Sequence, residues 1–325
     1  MARLGIVHTP DRQPEGIAEF ARLAETAGLD ELWFWEDCFL TGGIASSATA
    51  LAATSRITVG LGVMPAVFRN PAAAAMEIAT LARIHPGRFV AGIGHGVPEW
   101  MDQIGALPAK PVRALEETVS AVRRLLAGET VTAEGDYVRL RDVRLDHPPE
   151  TVPPVLLGVR RPFGLRASGR SADGTILAEP SPPAYVRSAR EQIEQGRSAA
   201  GRSDRHEITV YVNGRIDPDR DQVRRLLAGM VLRESVAAQL ASLDREPELT
   251  ALRDLGDPQE IARELPDDLI DELAAAGTTA QVVASLSALA DAGADSIVFV
   301  PIGPDPDEQL DLLATQVVPA IRGAK

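Results

Sequence analysis

The stretch ITVGLGVMPAVFRNPAAAAMEIATLARIHPGRFVAGIGHGVPEWM, residues 57–101, decides the fold class of this 325-residue chain. It holds two short runs rich in β-branched residues and glycine, Ile57–Val63 and Phe89–Ile93, with an Ala-rich segment, Pro71–Ile84, between them. Proline at the first position of that segment is typical of a helix start. The order of strand, helix and strand predicts two parallel strands joined by a covering helix.

The same alternation continues on both sides of this stretch and gives eight predicted strands. Several of them are apolar throughout, which is typical of parallel strands that are buried on both faces. Eight strands favour a closed barrel over an open sheet, so the predicted fold class is α/β, a single (β/α)8 TIM barrel. The predicted strands are Leu4–His8, Glu31–Trp35, Ile57–Val63, Phe89–Ile93, Pro154–Gly158, Thr175–Ala178, Glu207–Asn213 and Ser296–Val300.

Two connections are longer than a barrel needs, and we expect them to be inserted segments of one domain that spans residues 1–325. The first, residues 129–153, alternates around Glu134-Gly135-Asp136 and predicts a hairpin. The second, residues 217–277, predicts several acidic helices. The other predicted helices are Pro14–Ala27, Ile44–Ala53, Pro71–Ile84, Pro111–Ala127, Phe163–Gly169, Pro183–Ala200 and Thr279–Ala292.

The composition excludes several classes of protein. A formal net charge of −13 would repel a phosphate backbone, which argues against nucleic-acid binding. Cys38 is the single cysteine, so no disulfide within the chain and no Cys-rich zinc site can form. No signal peptide and no membrane-length apolar run is apparent, which predicts a cytoplasmic protein without membrane contact. No nucleotide-binding P-loop, no His-Glu-x-x-His pair and no nucleophile elbow is present, and the five histidines are scattered.

The residues that follow the strands of a barrel line its mouth, where substrates bind, so these positions are the candidate site. After the second predicted strand come Glu36, Asp37 and Cys38, which suit proton handling. In a purely structural alternative, Glu36 or Asp37 caps the next turn, while Trp33 and Trp35 fill the shell between barrel and helices.

Two further strand ends carry candidate groups. Gly94-His95-Gly96 forms a Gly-rich turn whose N–H groups could face an anion, with His95 either a proton carrier or a structural residue. Val159-Arg160-Arg161 precedes a proline and suits a phosphate, although a surface salt bridge explains the arginines equally well. Later strand ends add the mouth candidates Glu179, Asn213 and Arg215.

These motifs resemble the bacterial luciferase-like monooxygenase superfamily, and within it the coenzyme F-420-dependent oxidoreductases of the methylenetetrahydromethanopterin reductase type. The resemblance covers nearly the whole chain. Its most specific part is residues 57–101, with ELWFWEDCF (31–39) before it and SADGTI (171–176) and LADAGADSIVFVPIGPD (289–305) after it.

The resemblance implies a barrel that is usually dimeric and holds a flavin or deazaflavin in its mouth. Gly62-Val63 matches the position of a non-proline cis peptide that forms a bulge behind the ring in the deazaflavin branch. Asp37 and Cys38 match an Asp-His pair, and because cysteine replaces that histidine, His95 becomes the preferred proton carrier beside Asp37 and Cys38. The residues implied in cofactor binding are Gly62, Val63, Met64, Gly94, Gly96, Val159, Arg160 and Arg161.

The leading hypothesis is therefore an oxidoreductase that moves a hydride between coenzyme F-420 and a small organic substrate. One alternative is an FMN-dependent monooxygenase that receives reduced flavin from a separate reductase. Another is a non-catalytic flavin-binding protein on the same barrel, since a fold does not fix a function. A barrel isomerase or aldolase receives little support, because no lysine lies at a predicted strand end. No metal site is predicted, and we expect a homodimer.

Overall fold

The structure, a computed structural model, describes residues 2–323 and contains a closed barrel of eight parallel strands. The strands in chain order are β1 (Arg3–Val7), β2 (Glu31–Phe34), β3 (Thr58–Pro65), β4 (Phe89–Gly94), β5 (Val131–Glu134), β6 (Arg139–Val143), β7 (Val155–Gly158), β8 (Gly174–Leu177), β9 (Glu207–Ile216), β10 (Ala275–Gly277) and β11 (Ser296–Pro301). Neighbours around the barrel run β1-β2-β3-β4-β7-β8-β9-β11, and parallel pairing of β11 with β1 closes the ring. The predicted fold class is confirmed.

Helices cover the outside of this barrel. They are α1 (Ile17–Thr26), α2 (Gly43–Ala53), α3 (Pro71–Ile84), α4 (Pro98–Gln103), α5 (Pro111–Leu126), α6 (Pro162–Ser171), α7 (Pro183–Ala199), α8 (Asp221–Val231), α9 (Ala237–Leu240), α10 (Glu246–Asp254), α11 (Pro258–Glu264), α12 (Asp267–Leu273), α13 (Thr279–Asp291), α14 (Pro306–Leu312) and α15 (Val318–Gly323). The side chain of Asn70 accepts a hydrogen bond from the Ala72 N–H, which caps α3 at its predicted start.

Two segments lie outside the repeating pattern. Between α5 and β7, β5 and β6 pair antiparallel as a hairpin. Between β9 and β10, α8 to α12 pack around an apolar core of their own, which includes Leu227, Leu249 and Ile270. The short strand β10 then pairs with the far end of β9.

Strand residues alternate between two cores, as a period of two requires. Leu32 and Phe34 belong to the large core between barrel and helices, whereas Trp33 lies in the smaller core inside the barrel. Trp33 is fully buried there because β3 has Gly60 opposite it, where a Cβ would lie 2.3 Å from the indole ring. The alternative that placed Trp33 in the outer shell is therefore wrong.

The end of the barrel opposite the mouth is closed by a polar cluster around Glu31. Its carboxylate accepts hydrogen bonds from the Trp33 Nε1 at 2.7 Å and the Ser296 Oγ at 2.6 Å, and it pairs with Arg3. The opposite end of the barrel, where the strands have their carboxyl ends, is therefore the end at which polar side chains can contact a ligand.

Helices α6 and α7 approach each other closely through two glycines. A Cβ at Gly196 would lie 2.0 Å from the carbonyl oxygen of Arg166, and one at Gly169 would lie 2.1 Å from that of Ile193. Both obstacles are backbone atoms, so neither can rotate away, and only glycine fits at these two positions.

Within residues 2–323, no single helix is long and apolar enough to cross a membrane. One pair of consecutive helical segments, Asp221–Val231 and Glu234–Leu243, reaches the required length and composition only together, and it is bent by 92°.

Candidate active site at the carboxyl ends of the strands

A bulge at the end of β3 forms the floor of the mouth. The peptide bond Gly62-Val63 is cis, and the pairing of β3 with β4 shifts register between Leu61 and Met64. A bulge of this kind changes which side chains face the interior. Val63 consequently packs on the interior core, while the phenol of Tyr211 donates a hydrogen bond of 3.0 Å to the Gly62 carbonyl.

The side chain of Val63 fits between two glycines of the neighbouring strands. A Cβ at Gly94 would lie 2.6 Å from Val63 Cγ2, and a Cβ at Gly158 would lie 2.5 Å from Val63 Cγ1. Gly62, Val63 and Gly94, predicted from separate strand ends, are therefore brought together. Gly158 joins them although it was not among the predicted cofactor residues; its position directly after an apolar strand was the available signal.

Two predicted cofactor residues lie elsewhere. Met64 is 2% exposed and packs in the core between barrel and helices, because the bulge turns it away from the interior. Val159 is 4% exposed, belongs to the same outer core and lies against Gly164 of α6. Neither side chain faces the barrel interior, so cofactor binding by Met64 and Val159 stays a prediction to which their side-chain placement adds no support.

Gly96 forms the turn after β4 with a φ of +73°, a conformation that favours glycine. A Cβ there would lie 3.0 Å from the Pro65 Cβ and the Met101 sulfur. The turn therefore packs against the end of β3, next to the bulge.

Of the acids after β2, Glu36 is committed to the scaffold. It receives a bidentate pair of hydrogen bonds from Arg69, at 2.6 and 2.7 Å, and a third from the Gly43 N–H at the start of α2. Arg69 also pairs with Glu77 of α3 at 2.9 Å. These contacts fix the loops after β2 and β3 to each other.

Asp37 has no cationic partner within 4.0 Å in the described part of the chain. Trp33, Trp35 and Asp37 are every second residue along the chain, so they lie on the side of β2 that faces the barrel interior. The Asp37 Oδ2 accepts a 2.8 Å hydrogen bond from the Trp35 Nε1. Burial raises the pKa of Asp37, the Trp35 hydrogen bond opposes this, and the charge of Asp11 adds to it. A carboxyl group with a raised pKa takes up or releases its proton at a higher pH than an ordinary aspartate does.

Cys38 is buried, and the peptide bond to the exposed Phe39 is cis. Burial raises the pKa of the Cys38 thiol, and the charges of Asp37 and Glu36 raise it further. The thiol is therefore protonated at neutral pH, which makes it a poor nucleophile and a poor base.

His95 lies on the helix side of its strand. The residues two and four positions before it, Ile93 and Ala91, belong to the outer core, and the ring is near the Pro111 carbonyl at the start of α5. Burial lowers the pKa of His95, the Pro111 carbonyl opposes this, and the ring Nδ1 has no hydrogen-bond partner. The role of His95 as proton carrier stays a prediction, and this placement does not add support to it.

The two arginines after β7 differ in environment. Leu156, Gly158 and Arg160 are every second residue along the chain, so Arg160 lies on the interior side of the barrel like the other two. Its guanidinium lies 3.5 Å from the main-chain oxygen of Glu179. Arg161 is exposed and forms an ion pair with Glu234 at 3.5 Å. This contact agrees with the alternative interpretation of Arg161 as part of a surface salt bridge. Both remain positioned to attract an anion to this side of the mouth.

Glu179 is a half-buried carboxyl group of the mouth. It follows β8, and the Ala178 carbonyl before it accepts hydrogen bonds from Ser181 at 2.8 Å and Gln239 at 3.4 Å. The sequence placed Glu179 at the mouth, and the helical insertion supplies Gln239, which contacts the residue before it. Within residues 2–323, no cluster of three or more histidine, cysteine or acidic side chains could hold a metal ion.

Most of the described barrel matches a known family. The model of the luciferase-like monooxygenase family matches residues 2–296. The chain belongs to this family. The predicted superfamily is therefore confirmed, and the chain is an enzyme of the luciferase-like oxidoreductase type.

Curated relatives of this luciferase-like protein are oxidoreductases, and some of them are named as F-420-dependent. A 5,10-methylenetetrahydromethanopterin reductase of Archaeoglobus fulgidus is 28% identical over 98% of this chain and 100% of its own length. An F-420-dependent glucose-6-phosphate dehydrogenase of Intrasporangium calvum is 31% identical over 85% of this chain and 83% of its own. The solved coenzyme F-420-dependent tetrahydromethanopterin reductase of Methanopyrus kandleri superposes with a TM-score of 0.82 at 26% identity, covering 98% and 99% of the two chains.

Two FMN-containing luciferase-like structures also share the fold, at 16% and 19% identity. At that distance they show the fold alone. The predicted link to coenzyme F-420 thus agrees with the relatives at higher identity.

Proposed function

We propose that this protein is a coenzyme F-420-dependent oxidoreductase that transfers a hydride to or from a small organic substrate. The observation that carries the proposal is the Gly62-Val63 bulge, with Val63 set between Gly94 and Gly158 on the interior core. The half-buried Val63 side chain forms an apolar platform at the mouth, against which a planar ring system can pack. The family membership and the F-420-dependent relatives support it.

The residues present at the mouth fit a deazaflavin with a charged side chain. Val63 would lie under the ring, Gly62, Gly94 and Gly96 would bring backbone close to it, and Arg160 and Arg161 would attract its phosphate. When bound, the coenzyme supplies the hydride acceptor or donor. The protein excludes water from the platform, and Asp37 exchanges the substrate proton at its carboxylate.

An FMN-dependent two-component monooxygenase is the second candidate, because FMN-containing structures share this fold. A reduced flavin reacts readily with dioxygen, whereas a reduced deazaflavin does so poorly. Oxygen consumption with reduced FMN would therefore support this candidate, and it would also require a separate flavin reductase. Binding without turnover of any donor or acceptor would instead favour the flavin-binding protein.

Coenzyme selectivity can be measured by tryptophan fluorescence, since Trp35 is half-buried beside Asp37 and Trp33 lies beneath it. We expect F-420 to quench this emission at concentrations at least about tenfold below those needed for FMN or FAD, a difference of ~1.4 kcal/mol. Stronger quenching by FMN than by F-420 would overturn the cofactor assignment.

The platform itself is tested by Gly158→Ala. Because the added Cβ would lie 2.5 Å from Val63 Cγ1, Val63 must move. We expect the Kd for F-420 to rise about 10- to 100-fold, that is by ~1.4–2.8 kcal/mol. Gly42→Ala is the matched control, because a Cβ at Gly42 meets nothing within 4 Å. Equal Kd values for both variants would contradict a platform at this position.

The homodimer and the cytoplasmic location stay predictions, as does the assignment of residues 129–153 and 217–277 as insertions of a single domain.

For the homodimer, α3 offers a candidate surface, because Met76 and Ile84 are 60% and 63% exposed. We expect light scattering after gel filtration to give twice the chain mass of 34.6 kDa. The mass of a single chain at micromolar concentration would contradict the dimer.

A further inference from the structure

All three tyrosines of the chain form a hydrogen bond with a main-chain atom, and two of them do so at the mouth. The phenol of Tyr211 donates to the Gly62 carbonyl at 3.0 Å, and that of Tyr185 donates to the Arg160 carbonyl at 2.5 Å. A carbonyl can only accept, so the phenol is the donor in both pairs. Tyr211 and Tyr185 are 2% and 3% exposed, so solvent cannot replace either phenol without a rearrangement.

Tyr211 connects opposite walls of the barrel. It lies on β9, which is separated from β3 by the path β3-β4-β7-β8-β9 in one direction and by β3-β2-β1-β11-β9 in the other. Its ring packs edge-on against Trp33, with 5.8 Å between the ring centroids, and its hydroxyl group reaches Gly62 across the interior. Gly62 lies within the register shift of β3 against β4, where regular strand pairing is interrupted. The phenol therefore fixes the main chain at the bulge.

This contact is coupled directly to Val63. A Cβ at Gly62 would lie 2.6 Å from the Tyr211 hydroxyl oxygen and 2.7 Å from Ile176 Cδ1, so glycine is what allows the phenol to approach the carbonyl. The Gly62 carbonyl group and the nitrogen and Cα of Val63 belong to one planar peptide unit. A shift of that carbonyl is consequently passed on to Val63, whose side chain forms the platform.

Tyr185 acts on another side of the mouth. It lies on α7 in the outer core, and its phenol holds the main chain of Arg160 directly after β7. Among residues 2–323, the Arg160 guanidinium forms no ion pair within 4.0 Å, and its hydrogen bond of 3.5 Å goes to the main-chain oxygen of Glu179. The main chain of Arg160 is therefore fixed, while its charge is not neutralised by an acidic side chain.

We propose that Tyr211 and Tyr185 are positioning residues for the two ends of the coenzyme. Tyr211 holds the Val63 platform under the ring, and Tyr185 holds Arg160 beside the phosphate. Neither phenol contacts the coenzyme; each acts through the carbonyl group to which it donates. The inference rests on the proposed function, which assigns the ring to Val63 and the phosphate to Arg160.

The first test compares two probes that differ only in the phosphate, deazariboflavin and deazariboflavin phosphate, with tryptophan quenching as the measurement. Tyr185→Phe should raise the Kd of the phosphate-bearing probe about 5- to 10-fold and leave that of deazariboflavin within about twofold. Tyr211→Phe should raise both Kd values by one common factor of about 5- to 10-fold.

Tyr137→Phe is the matched control. The Tyr137 hydroxyl group accepts a 2.7 Å hydrogen bond from the Lys110 N–H, so this variant also loses a main-chain contact, but at the hairpin. Both Kd values should stay within about twofold of the wild type. A purely structural role weakens both probes alike, so equal factors for the two probes in Tyr185→Phe overturn its assignment. Unequal factors in Tyr211→Phe, or factors no larger than those of Tyr137→Phe, overturn the assignment of Tyr211.

Hydrogen–deuterium exchange measured by mass spectrometry tests the local effect without coenzyme. Phenylalanine keeps the aromatic ring and its packing, so both variants retain the fold. Tyr211→Phe should speed exchange about tenfold in residues 62–66 and Tyr185→Phe in residues 159–165, each without effect on the other segment. Faster exchange in neither segment, or in both segments for either variant, overturns the proposal.

The two experiments separate the inference from the proposed function. If the wild type binds neither F-420 nor a deazaflavin probe, the proposed function is lost together with the assignment to the coenzyme, and the exchange pattern still decides whether the tyrosines hold the two loops. If these molecules bind and the Kd factors or the exchange pattern fail, only the inference is lost.

Discussion

Replacing Asp37 by Asn is expected to lower the turnover number about 10³-fold, a loss of ~4 kcal/mol of transition-state stabilisation. The amide retains the shape of the side chain, and its oxygen can still accept the hydrogen bond from the Trp35 Nε1. It cannot exchange a proton. We therefore expect the Kd for F-420, measured by tryptophan quenching, to change less than about threefold.

The pH profile gives a further check on Asp37. Because burial raises its pKa, wild-type activity in the direction of substrate oxidation should rise with pH as Asp37 ionises, above the range usual for aspartate. This limb should be missing in Asp37→Asn. Asp11→Asn is the matched control, since Asp11 is exposed and acts on Asp37 only through its charge. Equal rates for wild type and Asp37→Asn would remove Asp37 from the mechanism.

Gly196→Ala is expected to have the largest effect on stability, about 3 kcal/mol. The new Cβ would lie 2.0 Å from the Arg166 carbonyl oxygen, so α6 and α7 must separate and lose packing along their whole contact. Thermal unfolding should show a melting temperature lower by roughly 4–5 °C.

Gly229→Ala provides the control for that experiment. Gly229 also lies inside a helix, α8, but a Cβ there meets nothing within 4 Å. Since alanine is the better helix former by ~1 kcal/mol, we expect Gly229→Ala to be neutral or stabilising. A similar loss of stability in both variants would show that the close approach of α6 and α7 does not account for the effect at Gly196.

The sequence predicted the barrel well because strand and helix patterns are local. The strand Ile57–Val63 appears as Thr58–Pro65, and the helix Pro71–Ile84 begins at its predicted proline. Strand-end positions also located Asp37 and Arg160 correctly at the mouth, since a closed barrel brings all carboxyl ends together.

What the sequence could not show depends on direction and on contacts between distant segments. The register shift at the β3 bulge turns Met64 outward, and no local pattern distinguishes it from Val63. The alternation in β4 takes His95 to the helix side, whereas its sequence neighbours alone suggested the mouth. The contact of Gln239 with the Ala178 carbonyl, next to Glu179, joins segments 61 residues apart, so no local pattern indicated it.

The helices α8 to α12 have an apolar core separate from that of the barrel. Substitutions inside that core therefore lie away from the Val63 platform, whereas Gln239, which the same segment supplies, contacts the Ala178 carbonyl beside the mouth. This segment is the part of the molecule in which evolution, or a protein engineer, can change substrate preference at the lowest risk to folding.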